Sequence, residues 1–180
     1  MKIYFSDFVD VSPDVIKDYG AFNISLINDL PLFIDPFLLF NSDKAEYQGL
    51  HDEILEYVKF LKDKSQNKHL SNGLLNNWYF FSEVKQNWFG YSKVGNNGSG
   101  LEKKFADSLH KNLYTIFHNF GDEDISESSH LEKLCLIKDG VGRDSISDFT
   151  TNLIKKYFVE YTEKFAIEYL DSIGIFILDI

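Results

Sequence analysis

The residues best suited to chemistry are concentrated in the segment DGVGRDSISDFTTN, residues 139–152. The segment contains Arg143, the only arginine among the 18 lysine and arginine residues of the chain. A guanidinium group presents five N–H donors in a rigid planar fork that matches phosphate and carboxylate groups. We therefore predict that Arg143 has an anion-binding role, and that its segment opens a long helix.

Two carboxylates follow directly, because Asp144 and Asp148 are four positions apart. In the first turn of a helix they would share a face and could hold a divalent cation such as Mg²⁺, with Asp35 as a third ligand brought in by the fold. A structural alternative stays open, because Ser145 and Asp148 also match a capping box. Likewise, Asp144 could simply form a surface ion pair with Arg143.

Two glycine-rich loops precede predicted helices, GNNGSG and DGVGRD. Free backbone N–H groups at a helix start attract anions, and glycine lets a phosphate approach the backbone closely. Gly98, Gly100, Gly140 and Gly142 are therefore candidate ligand-binding residues. Neither loop has the lysine and hydroxyl that a P-loop places after its last glycine. In the structural alternative, these glycines only turn the chain.

The composition restricts the classes of partner. A net charge of −10 and a pI near 4.9 disfavour nonspecific binding to nucleic acid or to an anionic membrane. The single cysteine, Cys135, lies in the apolar run LCLI and predicts a buried thiol rather than a disulfide. With no signal peptide and no apolar run of about 20 residues, we expect a soluble cytoplasmic protein.

The first 40 residues predict a strand, a short helix and then a hairpin of two strands. Ser12 followed by Pro13 is typical of a helix start, and Gly20 is typical of a helix end. The apolar runs FNISLI and PLFIDPFLLF, separated by a turn-like NDLP, predict antiparallel strands. Because Pro36 has no N–H to donate, the second strand should lie at an edge or end at Asp35.

The remainder of the chain has a helical period. Apolar residues recur every three or four positions over 47–61 and 101–120, which predicts two amphipathic helices, and the pattern also favours a helix over 71–81. The five histidines show no spacing typical of metal ligands. A wide apolar stripe from Phe149 to Leu170 predicts one continuous helix of about 23 residues. We thus predict an α+β fold: a helix-rich single domain over residues 1–180, with a small antiparallel sheet and a long, central C-terminal helix.

The chain ends in DSIGIFILDI, which resembles the beginning of a strand. The segment could complete a sheet, or it could be the stub of a longer domain. In the second case, residues 1–180 would be the N-terminal part of a longer protein, and the apolar end would be exposed. The sequence leaves both alternatives open.

Three stretches, NWFGYSKVGNNGSGLEKKFADSL, SSHLEKLCLI and GVGRDSISDFTTNLIKKYFVEYTEKFA, resemble a family of uncharacterised bacterial proteins. The resemblance covers most of residues 1–170 and includes the IDPF stretch at Asp35. It implies an origin in mobile or phage-defence loci. Members of that family continue past the final helix, which implies that part of a site could lie in a missing C-terminal region.

Two functions compete at this point. The first is a defence-associated effector that acts on phosphodiesters or nucleotides, in which Arg143 clamps a phosphate and Asp144, Asp148 and Asp35 hold Mg²⁺. The second is a noncatalytic interaction module with a structural Gly-Arg-Asp loop, whose exposed aromatic surface contacts a protein partner or the missing C-terminal region. The sequence does not decide whether the protein is an enzyme.

Overall fold

The computed structural model describes residues 2–28, 30, 32–82, 84, 103–119 and 143–170, with side chains over 105–115 and 145–170 in the last two ranges. These residues form seven α-helices and one turn of 3-10 helix at Phe5–Asp7. The α-helices are α1 (Pro13–Tyr19), α2 (Pro36–Phe40), α3 (Ala45–Ser65), α4 (Asn72–Tyr79), α5 (Lys103–Asn119), α6 (Arg143–Leu153) and α7 (Lys155–Tyr169). None of these helices is long and apolar enough to cross a membrane.

The helices are distributed over two compact units. The first unit contains α1 and α7, and the second contains α2 to α6. The expectation of a single domain over residues 1–180 stays a prediction.

The predicted antiparallel sheet is wrong. Within the described ranges no strand is formed, and residues of the FNISLI run make only an isolated bridge, between Tyr4 and Ser25. The second predicted strand is instead the short helix α2. Asp35 is its N-cap, and Pro36 occupies the first helical position, where the missing N–H costs nothing. The fold described here is therefore helical rather than α+β.

The predicted long C-terminal helix is divided in two. Helix α6 ends at Leu153, α7 begins at Lys155, and the two helices belong to different units. The side-chain amide of Asn152 donates to the carbonyl oxygen of Asp148, 2.8 Å away. Bonds of this kind compete with the backbone ladder and can bend a helix. The apolar stripe was wide because it combined the buried faces of two separate helices.

The first unit joins α1 to α7. As predicted, α1 starts at Ser12, whose hydroxyl accepts from the N–H of Val15, and it ends at Gly20 in the left-handed conformation, φ 89°. The ring of Tyr19 contacts the rings of Tyr161 and Phe165 of α7, with centroids 4.9 and 5.0 Å apart.

The second unit is built around α3. The predicted helices over 47–61, 71–81 and 101–120 are confirmed as α3, α4 and α5. Helix α3 packs against α2, α5 and α6, and α4 packs against α5. The buried apolar side chains of this core include Leu50, Ile54, Val58, Leu61, Leu75, Phe105, Leu109, Leu113, Phe149 and Ile154. The predicted apolar periodicity of α3 and α5 therefore identified the faces that form this core.

Candidate functional site

Helix α6 carries the residues that the sequence singled out. It begins at Arg143, so Asp144 and Asp148 are its second and sixth residues and lie on one face of the helix. Ser145 is the third residue of α6, so Ser145 and Asp148 do not occupy the N-cap and N3 positions of a capping box. The side chains of Arg143 and Asp144 lie outside the described part of the structure.

The fold brings the neighbourhood of Asp35 to α6. The backbone N–H of Ile34 donates to the hydroxyl oxygen of Ser147 over 2.8 Å, between residues 113 positions apart. Ser147 is buried, and the two bonded residues immediately precede Asp35 and Asp148. The sequence does not indicate the role of Ser147, because no local pattern predicts a hydrogen bond to a residue as distant in the chain as Ile34.

Asp35 is exposed and serves as the N-cap of α2. Its Oδ1 atom accepts a hydrogen bond from the N–H of Phe37, 2.9 Å away. No contact is recorded for Oδ2 in the part of the chain that the structure describes. A carboxylate has about four lone-pair sites, so Asp35 can cap its helix and still offer an oxygen to a ligand.

The second half of α6 is anchored to the segment that follows α4. The amide of Asn152 donates to the carbonyl oxygen of Ser82 at 2.7 Å as well as to that of Asp148. The ring of Phe149 packs edge-on against Phe81, with centroids 4.5 Å apart. These contacts hold the backbone at Asp148 in a defined place. A ligand at this helix would therefore meet a pre-positioned scaffold rather than a free loop.

A comparison with known protein families identifies the family of this chain. Residues 10–172 match the family model described as a domain of unknown function, DUF8370. The chain belongs to the DUF8370 family. Searches of curated proteins and of solved structures found no match. The resemblance to an uncharacterised family is thus confirmed, and the matched range contains every residue that the sequence nominated for chemistry.

The nominated metal ligands of this DUF8370 chain are related by their placement in the fold. Among the side chains that the structure describes, which do not include that of Asp144, no three of the His, Cys, Asp or Glu type cluster together. Gly98, Gly100, Gly140 and Gly142, and Cys135, lie outside the described residues. The Mg²⁺ site and the glycine-rich anion site both stay predictions.

Proposed function

We propose that this DUF8370 chain is a phage-defence effector, or the N-terminal part of one, that acts on phosphodiester or nucleotide substrates with Mg²⁺. The defence context is implied by the resemblance of the sequence. The chemistry is supported by the hydrogen bond from Ile34 to Ser147, which draws the segment of Asp35 toward the helix that carries Asp144 and Asp148.

Each nominated residue has a role in this proposal. Arg143 binds a phosphate oxygen pair in bidentate fashion at the start of α6, where the helix dipole also favours an anion. Asp144, Asp148 and the second oxygen of Asp35 hold the cation, which offsets the charge of the phosphate. Gly140 and Gly142 before α6, and Gly98 and Gly100 before α5, allow close approach of phosphate to backbone N–H groups.

The test uses the full chain with Mg²⁺ or Mn²⁺. Calorimetry measures cation binding, and gels and chromatography follow cleavage of single-stranded DNA, RNA and nucleoside triphosphates. Asp148→Asn and Asp144→Asn should each abolish cleavage and weaken cation binding. The matched control is Asp14→Asn, because Asp14 is an exposed aspartate in the first turn of α1. A folded wild-type chain that neither binds the cation nor cleaves any substrate would overturn the proposal.

A second candidate function is a noncatalytic interaction module. The observation that favours it is the surface of α2, where Phe37 is 44% exposed and Leu38 is 67% exposed. Large apolar side chains exposed side by side are typical of protein-binding surfaces. In this alternative the loop at Arg143 is structural, and α2 contacts a protein partner or a C-terminal continuation of the chain.

Sedimentation velocity, combined with the cleavage assays, distinguishes the two candidate functions. The interaction module requires a complex that Leu38→Glu disperses, observed by sedimentation velocity, with no cleavage in the substrate panel. The effector requires cleavage that Leu38→Glu leaves intact and Asp148→Asn removes. Leu74→Glu is the matched control, because Leu74 is also exposed but lies on α4.

A further inference from the structure

A cavity of about 490 Å³ lies in the second unit, beside the C-terminal end of α3 and the middle of α5. Its lining includes Gln66, Lys68, His110, Lys111, Tyr114 and Thr115. Of the nominated residues whose side chains the structure describes, neither Asp35 nor Asp148 lines this cavity. Its size falls in the range of about 300–1,000 Å³ that is typical of small-molecule sites.

One hydrogen bond connects the two chain segments that line the cavity. The Nε2 atom of His110 lies 2.8 Å from the carbonyl oxygen of Asn67. Because a carbonyl only accepts, Nε2 carries the proton and donates. Asn67 directly precedes Lys68, and His110 directly precedes Lys111. The bond thereby ties together the two backbone segments that bring lysines to the cavity.

The lining of the cavity has the opposite charge to the chain as a whole. Among the described residues, two lysines and no aspartate or glutamate line the cavity, whereas the whole chain has 28 acidic residues against 18 basic ones. Neither Asp63 nor Asp107 lines the cavity. Within the described residues, no ion pair is found for Lys68 or Lys111. Two like charges at one cavity repel each other unless an anion lies between them.

Most of the carbonyls at the end of α3 have hydrogen-bond donors. Helix C-termini carry partial negative charge on the last four carbonyls, which lack partners within the helix. In α3 the carbonyl of Lys62 accepts from the hydroxyl of Ser65 at 2.5 Å. The N–H groups that follow the helix bond the next two carbonyls.

We propose that this cavity binds a phosphorylated small molecule of nucleotide size, with Lys68 and Lys111 on its phosphate groups. Lysine binds phosphate as a point charge. The amide of Gln66 and the hydroxyl of Thr115 supply further polar groups for the rest of the ligand. This site is independent of the proposed Mg²⁺ chemistry, and it requires no cation.

The experiment titrates the full chain into fluorescently labelled ADP in the presence of EDTA, with anisotropy as the signal. The double variant Lys68→Gln/Lys111→Gln should weaken binding by about tenfold or more, because two charge-assisted contacts are lost. The control is Lys59→Gln/Lys164→Gln, which removes the same charge from two exposed lysines outside the cavity and should change the affinity less than about twofold. Circular dichroism verifies that both variants are folded.

Competition defines the ligand. Unlabelled ADP should displace the probe at lower concentration than either adenosine or inorganic phosphate. The proposal is overturned if the wild-type chain does not bind the probe, or if the double variant binds as tightly as the control. It is also overturned if adenosine or phosphate alone competes as well as ADP. EDTA excludes a bound divalent cation, so these results do not depend on the outcome at α6.

Discussion

Tyr19 and Tyr161 exchange hydrogen bonds, each hydroxyl donating to the backbone carbonyl of the other residue. The bond from Tyr19 is 3.1 Å long and the bond from Tyr161 is 2.6 Å long, and they join α1 to α7 across 142 positions of sequence. Tyr161 makes the shorter bond, and its hydroxyl lies close to Gly20 at the end of α1. This reciprocal pair is the main polar connection that we identify between the two helices.

We expect Tyr161→Phe to lower the free energy of unfolding of the first unit by about 1 kcal/mol. The substitution removes the hydroxyl and leaves the carbonyl of Tyr19 without that donor, whereas the ring contacts remain. Tyr19→Phe should cost less, because its bond is longer. Urea denaturation followed by circular dichroism measures both. If neither variant shifts the midpoint, the pair does not hold the helices together.

Gly20→Ala should destabilise the protein for two reasons. The φ of Gly20 is 89°, and a left-handed conformation costs a residue with a Cβ roughly 1–2 kcal/mol. The added Cβ would also lie 3.1 Å from the Tyr161 hydroxyl. The matched control is Gly49→Ala in the interior of α3, where the Cβ meets no atom within 4 Å. That substitution should stabilise the helix by up to about 1 kcal/mol, so the two thermal shifts should have opposite signs.

The local signals in the sequence predicted most helices correctly. The Ser12-Pro13 start, the Gly20 stop and the apolar period of α3 depend only on neighbouring residues, and all three are found in the structure. The Asp35-Pro36 pair is the same kind of start signal, but the apolar run around it predicts a strand. Short apolar runs do not distinguish strand from helix, and here the cap was the better indicator.

The long-range features could not be predicted in the same way. The apolar stripe is unbroken at Ile154, so the sequence does not show that α6 ends and α7 begins there. The two helices belong to different units, and each buries its own apolar face. The bond between Ile34 and Ser147 depends on the tertiary arrangement of α2 and α6. For the candidate site, the sequence alone placed Asp144 and Asp148 on one helical face. Bringing the segment of Asp35 to that helix required the fold.

His51 should make stability depend on pH. The ring of this buried histidine of α3 contacts that of Phe40 in a tilted arrangement, with centroids 5.1 Å apart. Burial lowers the pKa of His51 below its ordinary value, although Asp52 acts in the opposite direction. Protonation is therefore harder in the folded state than in the unfolded state. The contribution of neutral His51 to stability is fully present above the unfolded-state pKa of about 6.5. It is lost as the pH falls from that value through the lowered pKa of the folded state.

The measurement compares urea midpoints at pH 7.5 and pH 5. We expect His51→Phe to reduce the loss of stability between these two pH values, because the ring contact is kept and the titrating group is removed. His69→Asn is the control, since His69 is exposed. An equal loss in wild type and His51→Phe would show that other groups cause the pH dependence.

Thr150→Val should stabilise the second unit. Thr150 is fully buried in α6, and its hydroxyl has no hydrogen-bond partner among the described residues. Valine has nearly the same shape and removes the unsatisfied polar atom, which should raise the free energy of unfolding by up to about 1 kcal/mol. Thr162→Val is the contrast, because the hydroxyl of Thr162 donates to the carbonyl oxygen of Phe158. A lower melting temperature for Thr150→Val would mean that this hydroxyl has a partner in solution.

Ser147→Ala tests the connection that supports the proposed site. The substitution removes the buried hydroxyl that accepts from the N–H of Ile34. Leaving this N–H without an acceptor should lower the free energy of unfolding by about 1–3 kcal/mol. Ser145→Ala is the matched control on the same helix, because Ser145 is only partly buried and its side chain makes no hydrogen bond to the residues that the structure describes. If the Asp35 segment contributes to a cation site, Ser147→Ala should also weaken Mn²⁺ binding under conditions where the variant is still folded. A variant that loses stability but binds Mn²⁺ as tightly as Ser145→Ala would exclude Asp35 from that site and leave only the aspartates of α6.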